Sequence, residues 1–131
     1  MLRHLALVSL VVADYDEAIR WYVDTLGFVL LEDTERGDGK RWVRVAPTPE
    51  ATTALLLARA VTDGQRALVG RQAGGRVWLF LESDDCVADH ARLSAAGVRF
   101  REAPRHEDYG VVAVFEDLYG NPWDLVEHRV P

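Results

Sequence analysis

The chain has 131 residues, 49% of them hydrophobic and 27% charged, which suits one globular domain and excludes the disordered, collagen-like and fibrous classes. Its 15 basic and 21 acidic side chains leave a formal charge of −6 with arginine scattered along the chain, so a phosphate backbone meets net repulsion unless a local basic patch intervenes, and no nucleic-acid partner is expected; the acidity serves solubility. Cys86 is the only cysteine, which excludes an intramolecular disulfide and a cysteine-based zinc site and fits a reducing, cytoplasmic compartment.

In chain order, residues 5–13 form an apolar run broken only by Ser9. Arg3 before it and Ala13 after it resemble a weak signal peptide, but the run is too short to span a membrane. Asp14 with Glu17 three residues later is a helix-starting capping pattern, so the run is predicted to be a buried strand feeding a helix. Over residues 14–26, Ala18, Tyr22 and Leu26 fall at i, i+4 and i+8, with Ile19 and Val23 beside them, and Gly27 can close the helix. A short apolar stretch at 28–31, a polar loop, a β-rich run at 42–46, a turn at 47–53 and a last strand at 54–58 complete the first half. The stretch 62–76, with Gly64, Gly70, Gly74 and Gly75, reads as a flexible linker; it lacks the Lys-Ser/Thr ending of a phosphate loop.

A shift of 70 residues lays the second half on the first without a gap. Asp14 falls on Asp84, Ala18 on Ala88, Gly27 on Gly97, Val45 on Phe115 and Leu55 on Leu125. The second half is therefore predicted to repeat strand, helix, strand, strand, strand, with strands at 98–100, 111–115 and 123–127. Cys86, beside the charges of Asp84 and Asp85, reads as packing rather than as a nucleophile. His90 reads as a solvent-facing or dimer-edge residue of the second helix.

This arrangement is joined by the local runs Val12-Ala13-Asp14, Ile19-Arg20-Trp21-Tyr22, Leu26-Gly27-Phe28 and Asp117-Leu118-Tyr119-Gly120-Asn121. Together they resemble the vicinal oxygen chelate superfamily, which includes glyoxalase I, bleomycin-resistance proteins, fosfomycin-resistance enzymes and extradiol dioxygenases. The resemblance implies an α+β fold of two tandem βαβββ modules, residues 1–60 and 76–131 joined by a linker at 61–75, whose eight strands curl into one mixed sheet, a cup that holds a ligand. It also implies a homodimer, since related cups are commonly completed by a second chain and apolar strand edges need covering.

In metal-dependent members of that superfamily, the first and last strands of each module supply His or Glu ligands. Counting seven residues back from the capping aspartate gives Leu7, and Val77 or Trp78; four residues after Gly120 comes Asp124, whose repeat partner is Ala54, with Leu56 on the same strand face. Only Asp124 can bind a cation, so a divalent metal is not expected as cofactor: tight sites assemble three or more protein ligands. His4, His106, Glu127 and His128 show no metal-motif spacing.

Asp124 and His106 are the candidate acid–base residues; the alternatives are a strand aspartate paired with an arginine and a solvated loop at 106–109. Trp42, Arg44, Trp78, Tyr109 and Trp123 are candidate ligand contacts, because rings near one concave sheet can form a stacking pocket, and core packing is the competing reading for each ring. Strand alternation puts Trp42 and Arg44 on one face and Arg41 and Val43 on the other. The expected partner is a small organic molecule. Two functions stand side by side: a lyase, transferase or dioxygenase-type enzyme with a degenerate metal site, and a non-catalytic, antibiotic-sequestering protein.

Overall fold

A computed structural model describes residues 1–129, and the chain divides into two compact units, Met1–Val69 and Gly70–Pro131. The first unit runs β1 (Leu7–Val12), α1 (Tyr15–Ile19), which continues as a π-helical turn over Arg20–Thr25, β2 (Val29–Gly37), β3 (Lys40–Ala46), β4 (Ala54–Arg59) and α2 (Asp63–Leu68). Its four strands lie in the order β1-β4-β3-β2, with β1 and β4 parallel and the other pairs antiparallel. The second unit runs β5 (Leu79–Glu82), α3 (Cys86–Ala95), β6 (Arg99–Phe100), β7 (Arg105–Glu107), β8 (Gly110–Glu116) and β9 (Pro122–His128). Its sheet is ordered β5-β9-β8-β6, and β7 pairs with β8 beyond β6. The expected α+β class and repeated modules are present, as two open sheets of four and five strands rather than one sheet of eight.

Alternation along the strands decides which face each helix covers. In the first unit Leu10, Leu57 and Val43 stand opposite one another on adjacent strands, and all three are buried, as are Val12, Val45 and Leu55. The stripe Ala18, Tyr22 and Leu26 is buried with them. Each such Leu or Val contributes roughly 1.5–3 kcal/mol through removal of apolar surface from water. In the second unit Ala113, Leu125 and Phe115 play the same part beneath α3, and Cys86 is buried there as the packing reading expects. Burial pushes the Cys86 thiol up, and the charges of Glu127, Asp89 and Asp85 add to it.

Four expectations are corrected. The polar stretch after residue 31 is not a loop: β2 runs on to Gly37, because Asp33 and Glu32 find cross-strand partners in Arg41 and Arg44 of β3. The linker holds a helix, since Thr62 and Gln65 form a reciprocal capping box at the start of α2. Asp85, not Asp84, caps α3, accepting from the backbone N–H of Ala88 at 3.1 Å, as Asp14 accepts from Glu17 at 2.8 Å.

The repeat, lastly, is not gapless. Val43 pairs with Leu57 while Ala113 pairs with Leu125, so the last strands correspond at a shift of 68, because the first unit's turn before β4 is two residues longer. The first strands correspond at a shift of 71, since Leu10 pairs with Leu57 and Leu81 with Leu125. Asp124 therefore corresponds to Leu56 rather than Ala54. The residue opposite it on β5 is Phe80, which corresponds to Ser9.

Candidate functional site

The first unit contains a cavity of about 590 Å³, within the usual range for small-molecule sites. Its apolar lining comes from Val11 of β1, Trp42 of β3 and Leu56 and Ala58 of β4. Trp42 and Arg44 alternate with the buried Val43 and Val45, so they project from the sheet face opposite α1. Polar lining comes from Arg36 at the end of β2, Asp38 in the β2–β3 turn, Lys40, Arg41, Arg59 at the end of β4, and Gln65 of α2.

Tyr15 is the pivot of the cationic side. Its ring is 6% exposed, its hydroxyl accepts from the backbone N–H of Arg41 at 3.2 Å, and the guanidinium groups of Arg41 and Arg59 lie 5.2 and 5.7 Å from the ring centroid. Arg41 is saturated by carboxylates: Asp33 binds it through Nε at 3.0 Å and Nη2 at 2.6 Å, and Asp16 through Nη1 at 2.9 Å. These bonds raise the Arg41 pKa further and hold the Asp33 carboxyl below its ordinary range. Arg59 lies against the β2–β3 turn, where a Cβ on Gly39 would sit 3.3 Å from its Nη2; Gly39 itself has φ +75°. Arg36 covers the Trp42 ring at 5.6 Å.

Of the candidate acid–base and ligand-contact residues, the cavity takes up only Trp42. Arg44 is occupied by Glu32 at 3.0 Å, and Glu32 also accepts from Thr34; the arginine is the main reason the Glu32 carboxyl is held low. Trp123 is 3% exposed, stacked on Phe115 at 5.6 Å and edge-on to Trp78 at 5.4 Å, which makes it core in the second unit. Tyr109 is exposed in the β7–β8 turn. Tyr15, Arg36, Lys40 and Arg59 were not anticipated; what assembles them is the hairpin made by the extended β2.

Asp124 and His106 do not meet. His106 stands opposite Val111, which stands opposite Glu127, and Glu127 accepts from the Cys86 N–H at the start of α3. His106 is therefore on the α3 side, where its Nδ1 is 3.1 Å from Arg129 Nη2. Asp124 stands opposite Val114 and Phe80 on the other face. Its Oδ1 is buried without a hydrogen-bond partner among the described residues, and burial pushes its carboxyl up. Phe80 beside it is 69% exposed.

A metal does not fit this donor set. The strand positions that correspond to Asp124 and its neighbour hold Leu56, Ser9 and Phe80, and no group of three or more His, Cys, Asp or Glu side chains among the described residues is placed to hold an ion.

The sequence model of the Glyoxalase/Bleomycin resistance protein/Dioxygenase superfamily matches residues 2–125. The chain belongs to that superfamily. An uncharacterized protein of Shewanella frigidimarina is 50% identical over 128 residues, covering 97% of this chain and 95% of its own. Among solved structures, UcmS2 superposes with a TM-score of 0.85 at 29% identity, over 97% of this chain and 99% of its own. TnmS3, an antibiotic binding protein from Streptomyces sp. CB03234, superposes with a TM-score of 0.78 at 34% identity, over 98% of both chains. No described helix is long and apolar enough to cross a membrane.

Proposed function

We propose that this superfamily member is a binding protein for a small organic molecule with a ring system, held in the first unit's cavity without a catalytic metal. The observation that carries the reading is the 590 Å³ cavity with Trp42 and Leu56 in its lining. The space suits a drug-sized ligand, and a half-buried indole on a sheet face supplies rigid contact area at small entropic cost. The likeness to an antibiotic binding protein of similar length supports the same class. Leu56 stands where Asp124 stands in the second unit, so this unit offers contact area rather than a ligand for a cation. The reading includes a homodimer, because β1 and β5 are edge strands of their sheets, and a cytoplasmic location; sedimentation tests the first.

The test is a thermal-shift screen of aromatic and amphipathic compounds. A compound that binds only the native state raises the melting temperature, and Trp42→Ala removes more of that shift than it removes from the melting temperature of the free protein. Equal losses mean that Trp42 is packing and the reading fails.

A second reading, an acid–base enzyme, rests on a separate observation: the unpartnered Oδ1 and raised pKa of Asp124 on the face that also carries Phe80. A carboxyl in that state is poised to exchange a proton with a bound molecule. Turnover of a bound compound, abolished in Asp124→Asn with binding retained, establishes it; unchanged ligand after prolonged incubation leaves the binding protein.

A further inference from the structure

We infer that the ligand of the first unit's cavity carries an anionic group on its ring system, read by Arg36, Lys40 and Arg59; this rests on the binding reading above and names its ligand class. The cavity is lined by four basic side chains, Arg36, Lys40, Arg41 and Arg59, and one acidic one, Asp38, in a chain whose formal charge is −6. The four are not equivalent. Arg41 is consumed by Asp33 and Asp16, which fix it as part of the wall. Arg36, Lys40 and Arg59 form no ion pair with any carboxylate among the described residues.

Elsewhere among the described residues Arg44, Arg66, Arg92, Arg99, Arg101 and Arg105 pair with acids, while Arg3, Arg20, Arg71, Arg76 and Arg129 form no ion pair, so it is the gathering of basic groups around one cavity that sets Arg36, Lys40 and Arg59 apart. Four basic side chains against one acidic one around a single cavity are a local reversal of the protein's charge, and a concave wall concentrates their field.

Two of these cations are also held in position. Arg36 is spread over the Trp42 ring and Arg59 over Tyr15, so the guanidinium groups stay at the wall of the cavity with N–H groups left to donate. A planar anion, carboxylate, sulfonate or phosphate, matches a guanidinium fork, while the ring that bears it lies against Trp42, Leu56 and Ala58. A cationic ligand meets repulsion from the same three groups.

A matched pair of fluorescent probes tests this: 8-anilinonaphthalene-1-sulfonate and the uncharged N-phenyl-1-naphthylamine, which share the ring system and differ in the sulfonate. In the double variant Arg36→Met, Arg59→Met, affinity for the sulfonate probe falls about tenfold or more while affinity for the neutral probe stays within about twofold. Raising sodium chloride from about 0.05 to about 0.5 M weakens only the sulfonate probe. Both substituted residues are exposed, and an unchanged circular dichroism spectrum confirms the fold.

Equal loss of both probes, or no loss of either, overturns the anion assignment while leaving the cavity a binding site. Failure of both probes to bind wild type, or binding that ignores Trp42→Ala, overturns the binding reading itself. Inorganic phosphate that displaces the sulfonate probe far better than sodium chloride of equal ionic strength overturns the ring requirement.

Discussion

The two halves share a scaffold and have spent it differently. β3 and β8 correspond residue for residue at a shift of 70, yet β3 begins with Lys40 in a tight hairpin and β8 begins with Gly110. The first unit's β2 runs for nine residues to the hairpin, with register shifts between Leu30 and Glu32 and between Glu35 and Gly37, and carries Arg36 to the cavity. Its counterpart in the second unit is broken into β6 and β7, with Arg105 tied to Glu102 and Glu107. One unit has built a cationic cavity, the other an aromatic core and, on its far face, a carboxylate oxygen, Asp124 Oδ1, that has no hydrogen-bond partner among the described residues. A repeat preserves what the strands need in order to pair and leaves each open face to diverge.

The sharpest way to break the comparison is at its paired positions. A Cβ on Gly110 would fall far inside contact distance of the Glu127 carbonyl, and φ there is +152°. Gly110→Val is expected to cost about 4 kcal/mol in urea denaturation, through overpacking and backbone strain together. Lys40→Ala, at the corresponding place, costs under about 0.5 kcal/mol because Lys40 is exposed. Similar costs at the two positions would mean that the units are held alike.

Next in size is the turn before the last strand. In the second unit it is short and internally bonded: Asp117 accepts from the backbone N–H groups of Tyr119 at 3.0 Å and Asn121 at 2.9 Å, and from the Asn121 side chain at 2.9 Å. Both Asp117 and Asn121 are buried. Asp117→Ala strands those donors and is expected to cost roughly 3 kcal/mol in the same assay. In the first unit's longer turn Glu50 is exposed, and Glu50→Ala moves stability by less than about 0.5 kcal/mol.

These positions also show what the sequence makes legible. Strand and helix order, the capping aspartate of α1, the glycine after each helix and the buried cysteine follow from local chemistry, and local chemistry is written in a few adjacent residues. The alternation of Trp42 and Arg44 against Val43 was readable too, but not which pair would be covered. What escaped depends on partners distant in the chain. Asp33 and Glu32 look like loop residues until Arg41 and Arg44 lie opposite them. Arg59 joins the cavity only because β4 ends beside a turn, and the separation of His106 from Asp124 onto opposite sheet faces turns on one step of register in β7. The offset of 71 and 68 residues at the first and last strands was invisible to a gapless alignment for the same reason.

The smallest effects contrast the two units through their carboxylates, which pH separates by sign. Asp33 is held low by Arg41, so its stabilisation is present above its unfolded pKa and is lost as pH falls through the folded value. Asp33→Asn is therefore expected to lower stability at pH 7 by about 1 kcal/mol, screened because the pair is partly exposed, with the difference from wild type vanishing at acid pH. Asp124 is pushed the other way by burial. Because its folded pKa is raised, the carboxyl contributes stability that is fully present below its unfolded pKa and lost as pH rises through the folded one, since between the two the native chain holds a proton that the unfolded chain has released.

Asp124→Asn removes that charge and keeps the shape. It is expected to leave stability at low pH nearly unchanged and to raise it at neutral pH by up to about 1 kcal/mol, since an unpartnered buried carboxylate oxygen no longer has to be ionised. Urea melts of the two proteins across the acid-to-neutral range make the comparison. A loss of stability in Asp124→Asn at neutral pH would mean that the ionised carboxylate has a partner in solution, and the second unit would then hold its acid as firmly as the first holds Asp33.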